Sequence, residues 1–164
     1  MSDTRHVLFL CTGNSARSIL GEAILNAIGG HRFKAYSAGS KPTGRPNPYA
    51  VELLREKGMD TSFARSKSWD EFGGPDAPPM DLIITVCDSA ANETCPYFPT
   101  SVERIHWGMP DPAGLPTAHE SRQAFSTTYD RLAERLSMLL SLDKQGLERL
   151  DFLAALRALG STVS

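Results

Sequence analysis

The chain has 164 residues, of which 41% are hydrophobic and 22% are charged. That length suits one domain with a buried core, and the composition is that of a folded protein rather than a disordered one. With 17 Lys and Arg against 19 Asp and Glu, the formal net charge is −2. This excludes a broadly basic protein that binds nucleic acid by charge alone.

Short apolar runs and sparse cysteines bear on the cellular compartment. No apolar run approaches the ~20 residues of a membrane span, and Val7–Leu10 is too short for the apolar stretch of a signal peptide. We therefore expect a cytoplasmic protein with no membrane partner. The three cysteines are too few for a disulfide scaffold, so they are buried fillers, metal ligands or reactive thiols.

The first elements predicted along the chain are a strand, a helix and a second strand. His6–Leu10 indicates a short buried strand, and the turn after it leads into an amphipathic helix from about Arg17 to Ile28, which Gly29 ends. Phe33–Ser37 indicates the next strand. This order of strand, helix and strand predicts a parallel pair.

The rest of the chain continues the alternation of strands and helices. A helix is predicted over Ala50–Lys57, and Leu82–Val86 is apolar on both sides, which is typical of a central parallel strand. Val102–His106 is a weaker strand, and the chain is helical from about His119. We therefore predict an α/β fold in which residues 1–164 form a single domain, with about four parallel strands and helices on both faces.

An extra C-terminal helix is predicted over about residues 144–159, near an interruption at Gly146. It could cover the sheet, or dock a partner through Leu147, Leu150, Leu153 and Leu156. We favour packing against the core.

One segment carries a recognisable chemistry, because a Cys and an Arg flank a turn between the first strand and the first helix. Backbone N–H groups of such a turn, together with the helix N-terminus, form a cradle for an anion. Arg17 could hold two oxygens of a tetrahedral oxyanion. Cys11 lies at the bottom of this electropositive cup, which favours the thiolate. The predicted oxyanion-binding residues are Thr12, Gly13, Asn14, Ser15, Ala16, Arg17 and Ser18.

This segment has two other interpretations. The plain structural one is a buried Cys in a tight turn and a surface Arg on a helix, but the strand before and the helix after favour a site. A nucleotide-binding loop is excluded, because Gly39–Gly44 is followed by Arg45 and Pro46 rather than by Lys and then Ser or Thr. Ser18 could also hydrogen-bond the thiolate and help to keep it ionised.

The segment Cys11–Ser18, together with Ser37–Gly39, resembles the low-molecular-weight protein tyrosine phosphatase family. Within that family the chain looks most like the thioredoxin-linked arsenate reductases, and the resemblance runs from about His6 to Tyr129. Three features support this branch. Two later cysteines, Cys87 and Cys95, follow the central strand. His106-Trp107-Gly108 then leads into Asp111-Pro112-Ala113-Gly114, which is typical of the branch, and the tyrosines that phosphatases usually place after their Asp-Pro are missing.

The resemblance implies a relay of three thiols. Cys11 attacks arsenate, and Asp111 is the general acid that protonates the leaving oxygen. Cys87 then attacks Cys11 and expels arsenite, and Cys95 attacks Cys87 to move the disulfide outward. No cofactor is required beyond an external thiol reductant, either thioredoxin or glutaredoxin with glutathione.

Plainer roles exist for three of these residues. Cys87 could be a buried filler at a strand end, Cys95 an incidental loop cysteine, and Asp111 a residue that starts a turn. A zinc site is disfavoured because the spacing of the two late cysteines is not that of a CxxC pair. Two departures from the reductase pattern are Ala16, where a further Cys is common, and a Cys87–Cys95 spacing one residue longer than usual.

The resemblance also bears on a metal. Some relatives hold a potassium ion near the cradle with an Asn, a Glu and a Ser, and Asn14, Glu22 and Ser37 match those positions. The fourth, acidic position is Lys67 here. An ammonium in place of the cation would make the metal unnecessary, so we predict no required metal. The alternative is that Lys67 is a solvated surface residue.

Two other functions share the same cradle. A phosphatase would hydrolyse phosphomonoesters with Cys11, Arg17 and Asp111 and leave the other cysteines idle. A non-catalytic oxyanion sensor would keep its function after replacement of Cys11. The arsenate reductase is the favoured prediction, and the phosphatase is the alternative.

Overall fold

The computed structural model describes residues 4–14, 16–72, 80–86, 103–109, 112, 114–146 and 148–160. Its centre is one parallel sheet of four strands, β1 (Arg5–Leu10), β2 (Phe33–Ala38), β3 (Leu82–Thr85) and β4 (Glu103–His106). The strands lie in the order β2-β1-β3-β4, and every neighbouring pair is parallel. The predicted strands and their parallel arrangement are confirmed.

Burial of the two central strands shows that both faces of the sheet are covered. From Val7 to Leu10 no residue of β1 is more than 1% exposed, and all four residues of β3 are buried. Successive side chains of a strand point to opposite faces, so a strand buried throughout needs cover on both sides. This agrees with the predicted α/β architecture.

Four α-helices accompany the sheet in the described part of the chain, and two of them begin at clear local sequence signals. They are α1 (Arg17–Ile28), α2 (Pro48–Glu56), α3 (Ala118–Lys144) and α4 (Arg149–Gly160). The Asn47 side chain caps α2 by accepting from the Tyr49 N–H at 2.9 Å, with Pro48 in the first turn. Thr117 caps α3 in the same way, through the Glu120 N–H at 3.1 Å.

The C-terminal helix begins later than predicted. Lys144 is the last residue of α3, and α4 begins only at Arg149, because Gly146 adopts a left-handed φ of 66° that ends the first helix. Phe152, Leu153, Leu156 and Leu159 of α4 are buried in the core. The predicted core packing is therefore confirmed, while Leu147 and the side chain of Leu150 lie outside the described residues.

The carboxyl ends of β1, β3 and β4 meet at one edge of the sheet. Val86 donates its N–H to the Leu10 carbonyl at 2.9 Å, and Trp107 donates its N–H to the Thr85 carbonyl at 2.8 Å. Such an edge is where open α/β sheets place their ligands. Among the residues that the structure describes, no helix is long and apolar enough to cross a membrane.

Candidate active site

Cys11 follows the last residue of β1 and lies in front of α1. Cys11 is only 6% exposed, and its backbone N–H donates to the Ala38 carbonyl at 3.2 Å, which extends the pairing with β2. Ala16 precedes α1 and no side chain caps the helix; its first turn carries no acidic residue. The positive end of the helix is therefore not offset by its own side chains, as an anion site requires.

The turn after Cys11 directs its carbonyls towards one neighbouring segment. The Thr12 carbonyl accepts from the Lys41 N–H at 3.0 Å, and the Gly13 carbonyl accepts from the Thr43 N–H and the Ser66 hydroxyl, both at 3.1 Å. A trans peptide places its N–H opposite its C=O. The N–H groups of the same peptide units therefore point away from that segment, as the predicted cradle needs.

Gly39 allows this close approach of two backbones. A Cβ atom at Gly39 would lie 2.4 Å from the Thr12 carbonyl oxygen and 2.6 Å from that of Cys11. Neither oxygen can move without moving the turn itself. A side chain at Gly39 would therefore displace the candidate cradle.

Asn14 holds the middle of the turn. Its φ of 45° is left-handed, a conformation that Asn tolerates better than most residues, and its side chain is fully buried. The amide oxygen accepts from the Lys67 N–H at 2.8 Å, and the amide nitrogen donates to the Ser18 hydroxyl at 2.8 Å. Asn14 thus joins α1 to the segment around Lys67.

Arg17 reaches across the sheet edge to the chain that leaves β4. Its Nη1 donates to the Met109 carbonyl at 2.7 Å. This hydrogen bond fixes one side of the planar guanidinium beside the turn. The predicted cradle residues Cys11 to Asn14 and Ala16 to Ser18 thus lie together, and Ser15 lies outside the described residues.

A buried ionic cluster lies directly behind the turn. The Ser37 hydroxyl donates to Glu22 Oε1 at 2.5 Å, and Lys67 Nζ lies 3.3 Å from Ser37 Oγ and 3.8 Å from Glu22 Oε1. Lys67 also donates to the Arg65 carbonyl at 2.9 Å. Glu22 and Lys67 are each only 7% exposed, so the reading of Lys67 as a solvated surface residue is wrong.

Burial acts in opposite directions on the two charged groups. Burial raises the pKa of the Glu22 carboxyl, and the neighbouring Lys67 opposes this. Burial also lowers the pKa of the Lys67 ammonium, which Glu22 opposes. Each charge therefore depends on the other to stay ionised.

The residues that matched a potassium site hold an ammonium instead. Lys67 Nζ contacts Ser37, and the Lys67 backbone contacts Asn14, so a potassium ion does not fit among these side chains. Within the described ranges, no group of three or more His, Cys, Asp or Glu residues is arranged to hold a metal ion.

The other predicted catalytic residues are Cys87, Cys95 and Asp111, and all three lie outside the described residues. The chain before Cys87 is described: Val86 lies beside Leu10 at the sheet edge and accepts from the Met109 N–H at 3.3 Å. Met109 is two residues before Asp111 in the sequence.

Several residues that support the turn were not identified from the sequence. Lys41, Thr43 and Ser66 hold its carbonyls, and Met109 holds Arg17. Three of these contacts go through backbone atoms, which any residue type supplies. Ser66 acts through its side chain, but no local pattern marks it. Gly39 and Lys67, which also support the turn, are indicated only by the family resemblance and lie outside the motif itself.

The sequence and the fold are similar to those of known proteins. The family model described as low molecular weight phosphotyrosine protein phosphatase matches residues 6–150. The arsenate reductase of Bacillus subtilis is 38% identical over 135 residues, which are 82% of this chain and 94% of that protein. An arsenate reductase structure from Archaeoglobus fulgidus is 30% identical, with a TM-score of 0.60 over 80% of this chain and 98% of that one.

A further solved structure shares the fold at lower identity. It is a thioredoxin-dependent arsenate reductase of Corynebacterium glutamicum, with a TM-score of 0.64 at 22% identity. The match covers 89% of this chain and 65% of that chain.

Proposed function

The chain belongs to the low molecular weight phosphotyrosine protein phosphatase family, and we propose that it is an arsenate reductase within it. The proposal takes residues 1–164 as one domain. Its support is the turn after β1, where a buried Cys11, the positive end of α1 and the held guanidinium of Arg17 come together.

The first step is attack by the Cys11 thiolate on arsenic. A sulfur–arsenic bond forms, one arsenic–oxygen bond breaks, and Asp111 protonates the leaving oxygen. The turn N–H groups and Arg17 stabilise the negative charge on the remaining oxygens. Ser18 supports the thiolate: its hydroxyl oxygen accepts from Asn14, so its own hydrogen is free to turn towards sulfur.

The second step is reduction by a second thiol. The Cys87 thiolate attacks the Cys11 sulfur, a disulfide forms, and the sulfur–arsenic bond breaks. Its electron pair stays on arsenic, which leaves as arsenite. The observation that carries a reductase over a phosphatase is the 2.9 Å hydrogen bond between Val86 and Leu10, because Cys87 and Cys11 are the residues that follow these two.

The third step returns Cys11 to its reduced form. Cys95 attacks Cys87 and moves the disulfide to Cys87–Cys95. An external reductant, thioredoxin or glutaredoxin with glutathione, then reduces it. The proposed partners are an arsenate or phosphate oxyanion and this thiol protein, with no nucleic acid and no membrane.

The proposal includes no resident metal ion. The Lys67 ammonium supplies the positive charge beside Glu22 and Ser37, at 3.8 Å and 3.3 Å from their oxygens. Through the Asn14 amide, the same segment supports the turn.

Single-turnover chemistry tests this function. Fully reduced protein is mixed with arsenate without added reductant, arsenite is quantified, and the disulfide is mapped by mass spectrometry. We expect one arsenite per chain and a Cys87–Cys95 bond. A Cys11–Cys87 bond would keep the reductase and remove Cys95 from the relay. No arsenite alongside steady hydrolysis of an aryl phosphate would overturn the reductase.

Two variants separate the roles of the thiols. Cys87→Ser is expected to abolish arsenite release while retaining slow hydrolysis of aryl phosphates, since the cradle remains. Cys11→Ser is expected to abolish both and to retain phosphate binding. Loss of both activities in Cys87→Ser, with the fold intact, would contradict the assignment of separate roles.

A further inference from the structure

The C-terminal helix α4 lies almost entirely beyond residues 6–150, which the family model matches. Phe152, Leu153, Leu156 and Leu159 are all buried, so the helix lies on the core and not out in solvent. A polar contact connects it to the sheet edge that carries the candidate site. That contact is made by Trp107.

Trp107 is fully buried directly after β4. Its indole Nε1–H donates to the Leu156 carbonyl at 2.8 Å, and its backbone N–H donates to Thr85 at 2.8 Å. A buried indole N–H needs a partner, because leaving it unpaired costs the full desolvation of the group. The carbonyl of α4 therefore fixes the orientation of the ring.

The chain from Trp107 to Met109 leads straight to the candidate site. Met109 donates its N–H to the Val86 carbonyl at 3.3 Å and accepts from Arg17 Nη1 at 2.7 Å. Within three residues the chain is thus held by α4, by the end of β3 and by the arginine of the cradle. Arg17 is a long side chain, and its planar guanidinium binds an oxyanion well only when its orientation is set beforehand.

We propose that Trp107 is a positioning residue through which α4 sets the Arg17 guanidinium for oxyanion binding. The Leu156 carbonyl holds the indole, the indole holds the backbone up to Met109, and the Met109 carbonyl holds Arg17. The C-terminal helix is thereby part of the architecture of the site as well as of the core. This inference rests on the proposed oxyanion site and extends it.

Binding of inorganic phosphate, which needs no redox step, tests the proposal by calorimetry on the reduced full-length protein. Trp107→Phe removes the indole N–H and keeps an aromatic ring. We expect its phosphate dissociation constant to rise on the order of five- to tenfold, as misplacement of a binding group does. The KM for arsenate should rise by a similar factor, with kcat less affected.

Phe152→Leu is the matched control on the same helix. The Phe152 ring lies 4.9 Å from the Arg5 guanidinium, at the start of β1 and away from the cradle. Phe152→Leu should lower the melting temperature as Trp107→Phe does. Its phosphate dissociation constant should stay within about twofold of the wild-type value, because distant sites act independently. Equal weakening in both variants would reduce the effect to general destabilisation and overturn the proposal.

A second replacement isolates the hydrogen bond if Trp107→Phe does not fold. Site-specific incorporation of 3-benzothienylalanine at position 107 keeps the shape of tryptophan and puts sulfur in place of N–H. Wild-type phosphate affinity in this protein would overturn the proposal. A wild-type chain that binds phosphate but releases no arsenite would overturn the proposed function and leave this inference standing.

Discussion

At the scale of single residues, Gly39 shows how the candidate cradle depends on the absence of a side chain. We expect Gly39→Ala to push the turn away, since its Cβ would lie 2.4 Å from the Thr12 oxygen. Phosphate binding should weaken more than about tenfold, and the free energy of unfolding should fall by about 1–3 kcal/mol. Calorimetry and urea unfolding measure the two effects.

Gly58→Ala is the control for that variant. Gly58 follows α2, with a left-handed φ of 77° and open space around its Cβ position, so alanine there strains the backbone without touching the turn. It should cost about 1 kcal/mol of stability. Its phosphate affinity should match that of the wild type, and equal losses of affinity in the two variants would contradict the role of Gly39.

Lys67 leads to a prediction about cations. In Lys67→Met the Glu22 carboxyl keeps its burial and loses the ammonium 3.8 Å away, so its pKa rises further. A carboxyl whose folded pKa lies above its ordinary value of 4.5 contributes stability below that value and loses it as pH rises through the folded pKa. The variant should therefore lose more stability than the wild type as the pH rises from about 5 to about 8, which urea unfolding at a series of pH values measures.

Potassium distinguishes the ammonium from a merely structural side chain. At about pH 8, well above the ordinary pKa of a carboxyl, KCl should raise the melting temperature of Lys67→Met above its value in N-methylglucamine chloride of equal ionic strength. Wild type and Lys57→Met, which loses an exposed ammonium, should melt alike in both salts. A variant indifferent to potassium would argue against Lys67 as a replacement for a cation.

The site residues differ in how far the sequence could predict them. Cys11, Arg17 and Ser18 belong to one local motif between a strand and a helix, so their pattern is visible in the chain. The packing of Gly39 against the turn depends on tertiary contacts between segments distant in sequence. The family resemblance indicates that Lys67 takes the position of a cation ligand. Its burial depends on the pairing with Glu22, which no local pattern specifies.

At the scale of elements, Asp143 ties the end of α3 to the amino end of the sheet. It accepts from Arg32 Nε and Nη2 at 3.0 and 2.8 Å, and it lies 3.5 Å from Arg5 Nε. The Asp143 side chain is 4% exposed, whereas Arg5 and Arg32 are each more than 40% exposed. Solvent therefore screens the two ion pairs in part, but the buried Asp143 carboxylate depends on both arginines to offset its loss of hydration.

We expect Asp143→Asn to cost about 1–3 kcal/mol in urea unfolding, because it removes the negative charge that Arg5 and Arg32 face and replaces one carboxylate oxygen with an NH2 group. Glu52→Gln removes the charge from an exposed pair with Arg122 at 3.2 Å and should cost clearly less, because solvent screens an exposed pair. Equal costs would mean that the burial of Asp143 contributes nothing. Neither variant should alter phosphate binding, since both lie away from the cradle.

The elements themselves were predicted more completely than the site. β1 and β3 contain short apolar runs, and α1 is followed by the predicted stop at Gly29, so period and punctuation suffice there. α2 begins at Pro48, before the predicted start at Ala50, because proline is well suited to the first turn of a helix. The start of α4 was predicted too early because helix-forming residues continue through Lys144. The left-handed Gly146 separates the two helices, and sequence alone did not show on which side of it the C-terminal helix begins.

At the scale of the whole molecule, α4 links stability to the candidate site. One face of the helix buries four large apolar side chains: Phe152, Leu153, Leu156 and Leu159. Full burial of such a side chain contributes about 1.5–3 kcal/mol, so the four together amount to roughly 6–12 kcal/mol. That is comparable with the whole stability of a typical domain, about 5–15 kcal/mol.

A chain ending at Gly146 is therefore expected not to hold a native fold. It would uncover the fully buried Trp107, remove the Leu156 carbonyl that its indole contacts, and expose the core beside β4. We expect red-shifted tryptophan emission, loss of a cooperative urea transition and no phosphate binding. Arg157→Gln, which breaks only an exposed pair with Glu103 at 3.4 Å, is the full-length control and should unfold like the wild type. A truncated chain that unfolds cooperatively at the wild-type midpoint would contradict this prediction, because it would show that α4 adds little to the stability of the core.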